Sequence, residues 1–217
     1  MRRTILGSIL VGLAFAAPRA QQPPAAGAGL LVYIGTYTSP TASKGIYVAR
    51  LDPATGALST PALAAETRNP SFLAANADGR FLYAVNEVDA VDGTPGGAVT
   101  AYAIDKATGA LRKLNSQSTK GGGPCHVSVA GSMVFAANYG GGSIAAYRAA
   151  ADGSLAPATA FFQHQGSSVD PNRQKGPHVL AYAGDHARDR RADGGDAPSV
   201  ALDRRARHTG RGVEADA

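Results

Sequence analysis

From Leu30 onward, apolar and polar positions alternate in short runs. The clearest are LLVYIGT (30–36), GIYVARL (45–51), RFLYAVNE (80–87), AVTAYAI (98–104), MVFAAN (133–138) and SIAAYR (143–148). Each is strand-sized with a period of two, and Gly, Asp and Asn turns separate them. No segment before residue 178 has convincing helical periodicity. The pattern therefore predicts an all-β protein of many short strands.

The runs also recur. LDPATGALS (51–59) returns as IDKATGALR (104–112), 53 residues later, and a shorter AADGSLA (150–156) follows. Asn86 aligns with Asn138, and Pro70 with Pro124 and Pro177. A repeat of about 50 residues holding four strands is the mark of a β-propeller blade. The D-x-x-T-G-x-L element has a physical reason to repeat. Its Asp closes the turn through the carboxylate, its Gly takes a positive φ, and its Leu restarts the strand. A β-sandwich gives no reason to repeat such a turn at a fixed offset.

The ends of the chain differ from this middle. Arg2 and Arg3 precede the apolar stretch Ile5–Ala17, which is too short to span a bilayer, and Ala14-Phe15-Ala16 offers a cleavage site. Residues 1–20 are thus expected to be a signal peptide and 21–29 a Pro/Ala/Gly linker. The mature protein is expected in the periplasm or secreted, with no membrane association after cleavage. Residues 179–217 hold 7 Arg and 7 acidic residues with a single aromatic. That composition predicts a disordered tail. Its abrupt onset after the propeller-like Gly176-Pro177-His178 suggests out-of-frame translation of GC-rich DNA, with a natural disordered tail as the alternative.

Charge and cysteine content narrow the function. The net charge of +5 comes largely from the N-terminal stretch, because residues 21–178 carry 11 Lys/Arg against 9 Asp/Glu. With no basic run or basic aromatic face left, nucleic-acid binding is not expected. Cys125 is the only cysteine, so no internal disulfide can form. It is read as a small apolar residue rather than a nucleophile.

Taken together, YIGTYTS (33–39), GIYVARLDPATGAL (45–58), NPSFLAANADGRFLYAVNE (69–87), GGGPCHVSV (121–129), FAANYGGGSIAAYRAAADGSL (135–155) and HQGSSVDPNRQKGPH (164–178) resemble the seven-bladed lactonase propellers, the family of the propeller-type 6-phosphogluconolactonases. The resemblance covers residues 30–178 and stops there. It implies a β-propeller of four-stranded blades, of which this segment supplies about three of seven. Seven blades need ~350 residues at ~50 each. Three blades cannot close a ring, so self-association through exposed blade edges is expected, and the activity of this chain is expected to be absent or very weak.

The repeat places Asn86-Glu87 and Asn138-Tyr139 at equivalent strand ends. It also places Asn69, Gly123-Pro124-Cys125-His126 and Gly176-Pro177-His178 at equivalent strand entries. In a ring, these positions face the mouth of the central channel. Opening a lactone needs a base for water, a partner for the developing oxyanion and an acid for the leaving ring oxygen. His126 and Glu87 are the candidate acid/base groups, and Arg173 suits the oxyanion or a substrate anion. The resemblance to lactone-forming propellers also implies a channel His and Arg, matching His126 and Arg173. His178, Asn86, Asn138 and Tyr139 are the candidate substrate-binding residues.

Other chemistries lack their context. Gly121–Gly123 and Gly140–Gly142 have no following Lys-Ser/Thr or helix, so they are loop glycines rather than a phosphate cradle. Ser167-Ser168 has no nucleophile elbow, and no metal or cofactor is expected. The expected function is hydrolysis of a small sugar lactone. The competing reading is a non-catalytic exported propeller that binds a small molecule or a protein partner.

Overall fold

The computed structural model describes residues 29–91, 93–167, 169, 175–182 and 200–202. The expected signal peptide, nearly all of the linker, Arg173 and most of the tail lie outside them. No helix occurs among the described residues.

Three antiparallel meanders follow one another. The first is β1 (Leu30–Ile34), β2 (Gly45–Leu51) and β3 (Ala62–Glu66). The second is β4 (Leu73–Ala75), β5 (Phe81–Asn86), β8 (Ala98–Ile104) and β9 (Leu111–Ser118), with a small β6 (Ala90–Val91) and β7 (Thr94–Pro95) hairpin between its middle strands. The third is β10 (Pro124–Ala130), β11 (Met133–Asn138), β12 (Ser143–Arg148) and β13 (Ala160–Gln163). Finally, β14 (Val179–Tyr182) pairs with β15 (Val200–Leu202).

The repeated turns sit where the sequence repeat places them. Asp52 follows β2, Asp105 follows β8 and the shorter third turn follows β12. In the first, Asp52 Oδ1 accepts from Ala54 N at 2.9 Å while Gly56 N donates to Asp52 O at 2.8 Å. Asp105 Oδ1 accepts from Ala107 N at 2.9 Å, and Gly109 N donates to Asp105 O at 2.6 Å. Gly56 and Gly109 have φ of 73° and 80°, the conformation that a side chain disfavours. These bonds hold both carboxyls below the usual carboxylate range; for Asp52 the Ala54 N–H leads, and for Asp105 the Thr108 hydroxyl.

Matching the turns aligns β1–β2–β3 with β5–β8–β9 and β11–β12–β13. Among the described residues, the first sheet thus shows no counterpart of the inner strands β4 and β10. The sheets pack face to face, because β5 is buried along its whole length. Leu82 and Ala84 face Ile46 and Tyr33 of the first sheet. Phe81, Tyr83 and Val85 face Val127, Val134, Ala136 and Tyr147 of the third. Alternation in one strand therefore serves two interfaces, which is why the run reads as continuously apolar. At the two ends of the stack, Leu30 and Phe162 stay 60% and 56% exposed.

Sheet-to-sheet contact is close at Gly97. A Cβ there would lie 2.3 Å from Pro124 Cδ and 2.7 Å from Asn86 O. Gly97→Ala is expected to cost about 1–3 kcal/mol, since neither the proline ring nor the backbone can yield cheaply. Urea unfolding followed by circular dichroism measures it, and an unchanged midpoint contradicts this packing.

Directly after His178, Val179 is fully buried against Ala137 and Ile144 and begins β14. A second short strand, β15, falls inside the segment expected to be disordered. Val179 occupies the place that Phe72 and His126 take in the preceding modules, so an apolar side chain there continues the stack.

Candidate active site

Each second strand of the aligned meanders ends in a residue that ties down the neighbouring chain. Thr36 Oγ1 donates to Gly45 O at 2.7 Å. Asn86 Nδ2 donates to Thr67 Oγ1 at 2.8 Å and Arg68 O at 2.6 Å, while its Oδ1 accepts from Thr100 Oγ1 at 2.7 Å. Asn138 Nδ2 donates to Thr119 O and Ser143 Oγ, both at 3.0 Å. Asn86 is 6% exposed and Asn138 fully buried. Both amides hold the loop entering their own module, and each directly precedes another candidate residue, Glu87 or Tyr139.

Those next side chains are Tyr37, Glu87 and Tyr139, one per module. Facing them across each junction are Ser71, Cys125 and His178, the residues after Pro70, Pro124 and Pro177. The Tyr37 phenol donates to Glu87 Oε2 at 2.8 Å, and this bond is the main reason its pKa is raised. Cys125 is half-buried, with Sγ 3.5 Å from both Val179 O and Leu180 O. Burial first, and the Glu87 charge second, push its thiol up. Cys125 is therefore a thiol rather than a thiolate, a poor nucleophile.

His178 stacks on Tyr139 with ring centroids 4.3 Å apart and an interplanar angle of 14°. Its Nδ1 lies 2.9 Å from Tyr139 O. A carbonyl only accepts, so Nδ1 is the donor in this bond. The Tyr139 ring stays 39% exposed beside this stack.

His126 stands on the inner strand β10, beside a register shift between Pro124 and His126. Such a bulge re-aims a side chain. Its ring lies 4.4 Å from that of Phe72, the residue before β4, and its Nδ1 is buried without a hydrogen-bond partner. Burial lowers the His126 pKa below its ordinary 6.5, which leaves a neutral imidazole able to take a proton at neutral pH.

The structure thus brings Glu87, Tyr37 and Cys125 together, sets His126 on the neighbouring inner strand and places Tyr139 with His178 one junction further on. Arg173 lies outside the described residues. Sequence reasoning missed Tyr37 and Phe72. The alignment of YIGTYTS with the other strand ends carries the signal for Tyr37, because Thr36 occupies the place of Asn86.

A sequence profile of the family described as lactonase, 7-bladed β-propeller, matches residues 31–185. The chain belongs to this family. Among relatives of the lactonase propeller, the 6-phosphogluconolactonase of Bacillus subtilis is 40% identical over 154 residues, 70% of this chain and 42% of that protein. The periplasmic gluconolactonase PpgL of Pseudomonas aeruginosa superposes with a TM-score of 0.63 at 36% identity, over 71% of this chain and 43% of its own. A Bacteroides fragilis protein named provisionally as a 6-phosphogluconolactonase gives 0.66 at 40% identity, over 75% and 44%. The chain therefore spans less than half the length of these relatives. The match runs to residue 185, past His178, in keeping with the buried Val179.

Proposed function

We propose that this propeller segment carries the acid/base side of a site that opens a sugar lactone with water. The observation that carries the reading is His126: an imidazole on an inner strand, kept neutral by burial, with Nδ1 unpartnered. In the proposed reaction His126 takes a proton from water as the water oxygen bonds to the lactone carbonyl carbon. The bond from that carbon to the ring oxygen then breaks, and His126 returns the proton to the departing oxygen. Glu87 orients the water, Arg173 balances the developing oxyanion, and the Tyr139–His178 stack receives the sugar ring. No metal or cofactor is required for these steps.

Relatives carry both phosphorylated and unphosphorylated lactone names. We favour an unphosphorylated sugar lactone because residues 1–20 read as an export signal, which would place the protein in the periplasm. Mass spectrometry of the exported chain, with a new N-terminus near Ala17 or Gln21, tests the location.

The activity test compares the 217-residue chain with the same chain extended by the remaining modules of the Bacillus subtilis relative. Acid release from D-glucono-1,5-lactone is followed in a pH-stat. The extended protein is expected to exceed spontaneous hydrolysis strongly, and the 217-residue chain hardly at all. No turnover by the extended protein, with retained lactone binding, supports the non-catalytic reading instead.

A further inference from the structure

We infer that Tyr37 is a positioning residue: its phenol, delivered from the neighbouring module, holds the Glu87 carboxylate in the rotamer from which it orients the attacking water. The inference rests on the lactone reading and adds a residue to it.

Four observations support it. First, the contact is direct, with Tyr37 Oη donating to Glu87 Oε2 at 2.8 Å, a charge-assisted bond across the junction of the first two sheets. Second, both ends of the contact are fixed at the backbone by one residue. Asn69 Oδ1 accepts from Thr38 N at 2.9 Å and Thr38 Oγ1 at 3.1 Å. Asn69 also donates from Nδ2 to Glu87 O at 3.1 Å and accepts at its carbonyl from Glu87 N at 3.0 Å. Third, Asn69 does this at a φ of 40°, an unfavourable conformation for a residue with a side chain. The equivalent residue of the third module is Gly123, with a φ of 57°. Asn69 thus stands where Gly fits more easily, and its side chain makes the bracket.

Fourth, the repeat does not require the pair. The preceding residue of each module ties down nearby backbone instead: Thr36 donates to Gly45 O, Asn86 to Arg68 O and Asn138 to Thr119 O. The next position is Tyr37, Glu87 and Tyr139, and of these three side chains Tyr37 and Glu87 are bonded to each other. Tyr37 is also 50% exposed, so core packing does not account for its place.

Tyr37→Phe keeps the ring and removes the donor. In the 217-residue chain, side-chain three-bond couplings of Glu87 are expected to report one rotamer in the wild type and an average in the variant, with little change in Tm. In the ring-extended protein, kcat is expected to fall roughly tenfold while KM stays within about twofold, as for a lost bond to a charged group. Unchanged Glu87 couplings overturn the inference, and so do altered couplings with unchanged kcat. If even the wild-type extended protein opens no lactone, the lactone reading fails and the positioning role falls with it; the couplings then still show whether the phenol fixes the carboxylate.

Discussion

Tyr147→Ala is expected to remove about 3–5 kcal/mol of stability, the range for losing a large aromatic from a packed core. Tyr147 is fully buried between the second and third sheets, and its hydroxyl donates to Ser118 O at 2.8 Å. The substitution opens a cavity beside Val85, Val99 and Ala136 and leaves the Ser118 carbonyl without this donor. Single domains are stable by only about 5–15 kcal/mol, so the variant should unfold readily. In urea the midpoint should fall by about 1.5–2.5 M. Tyr147→Phe separates the two contributions, since it keeps the volume and loses only the bond, at about 1–2 kcal/mol. Equal midpoints for wild type and Tyr147→Ala would show that these two sheets do not share a core.

His126→Ala is expected to lower lactone opening by the ring-extended protein at least about 100-fold in kcat, the lower end for loss of a general acid/base. The pH dependence supplies a second check. Burial lowers the pKa of His126, and the proposed mechanism uses its neutral form as the base. Activity should therefore persist as pH falls through 6.5 and decline only below it. A histidine exposed to solvent would lose activity near its ordinary value. An acid limb above 6.5 that vanishes with His126→Ala would contradict the burial described for this ring.

Most of the architecture was legible because its cause is local and recurs. The turns at Asp52 and Asp105 need a carboxylate, then a glycine at positive φ, in a fixed order, and that order is visible in the chain. The candidate site was legible only in part. Glu87 and Tyr139 follow strand-end asparagines and share an evident phase, whereas Tyr37 follows Thr36 in a sheet without an inner strand, which hides the same phase. Asn86 and Asn138 read as ligand contacts because polar residues at equal phase suit a ring. Burial turns them inward, since the loop carbonyls of Arg68 and Thr119 need donors there. Phe72 could not be paired with His126 from the sequence, because the contact joins adjacent inner strands across a junction. The short strand β14 is hidden in the sequence because the charge density beyond it outweighs its four residues.

The most direct test of a lactone site at the module junctions needs no turnover. D-glucono-1,5-lactam, in which an N–H replaces the ring oxygen so that water does not open the ring, is titrated into the isotope-labelled 217-residue chain and followed by NMR. Saturable shifts centred on His126, Glu87, Tyr139 and His178 are predicted. Shifts confined to the outer turns around Asp52 and Asp105, or none at these four residues up to the solubility limit, would contradict the account.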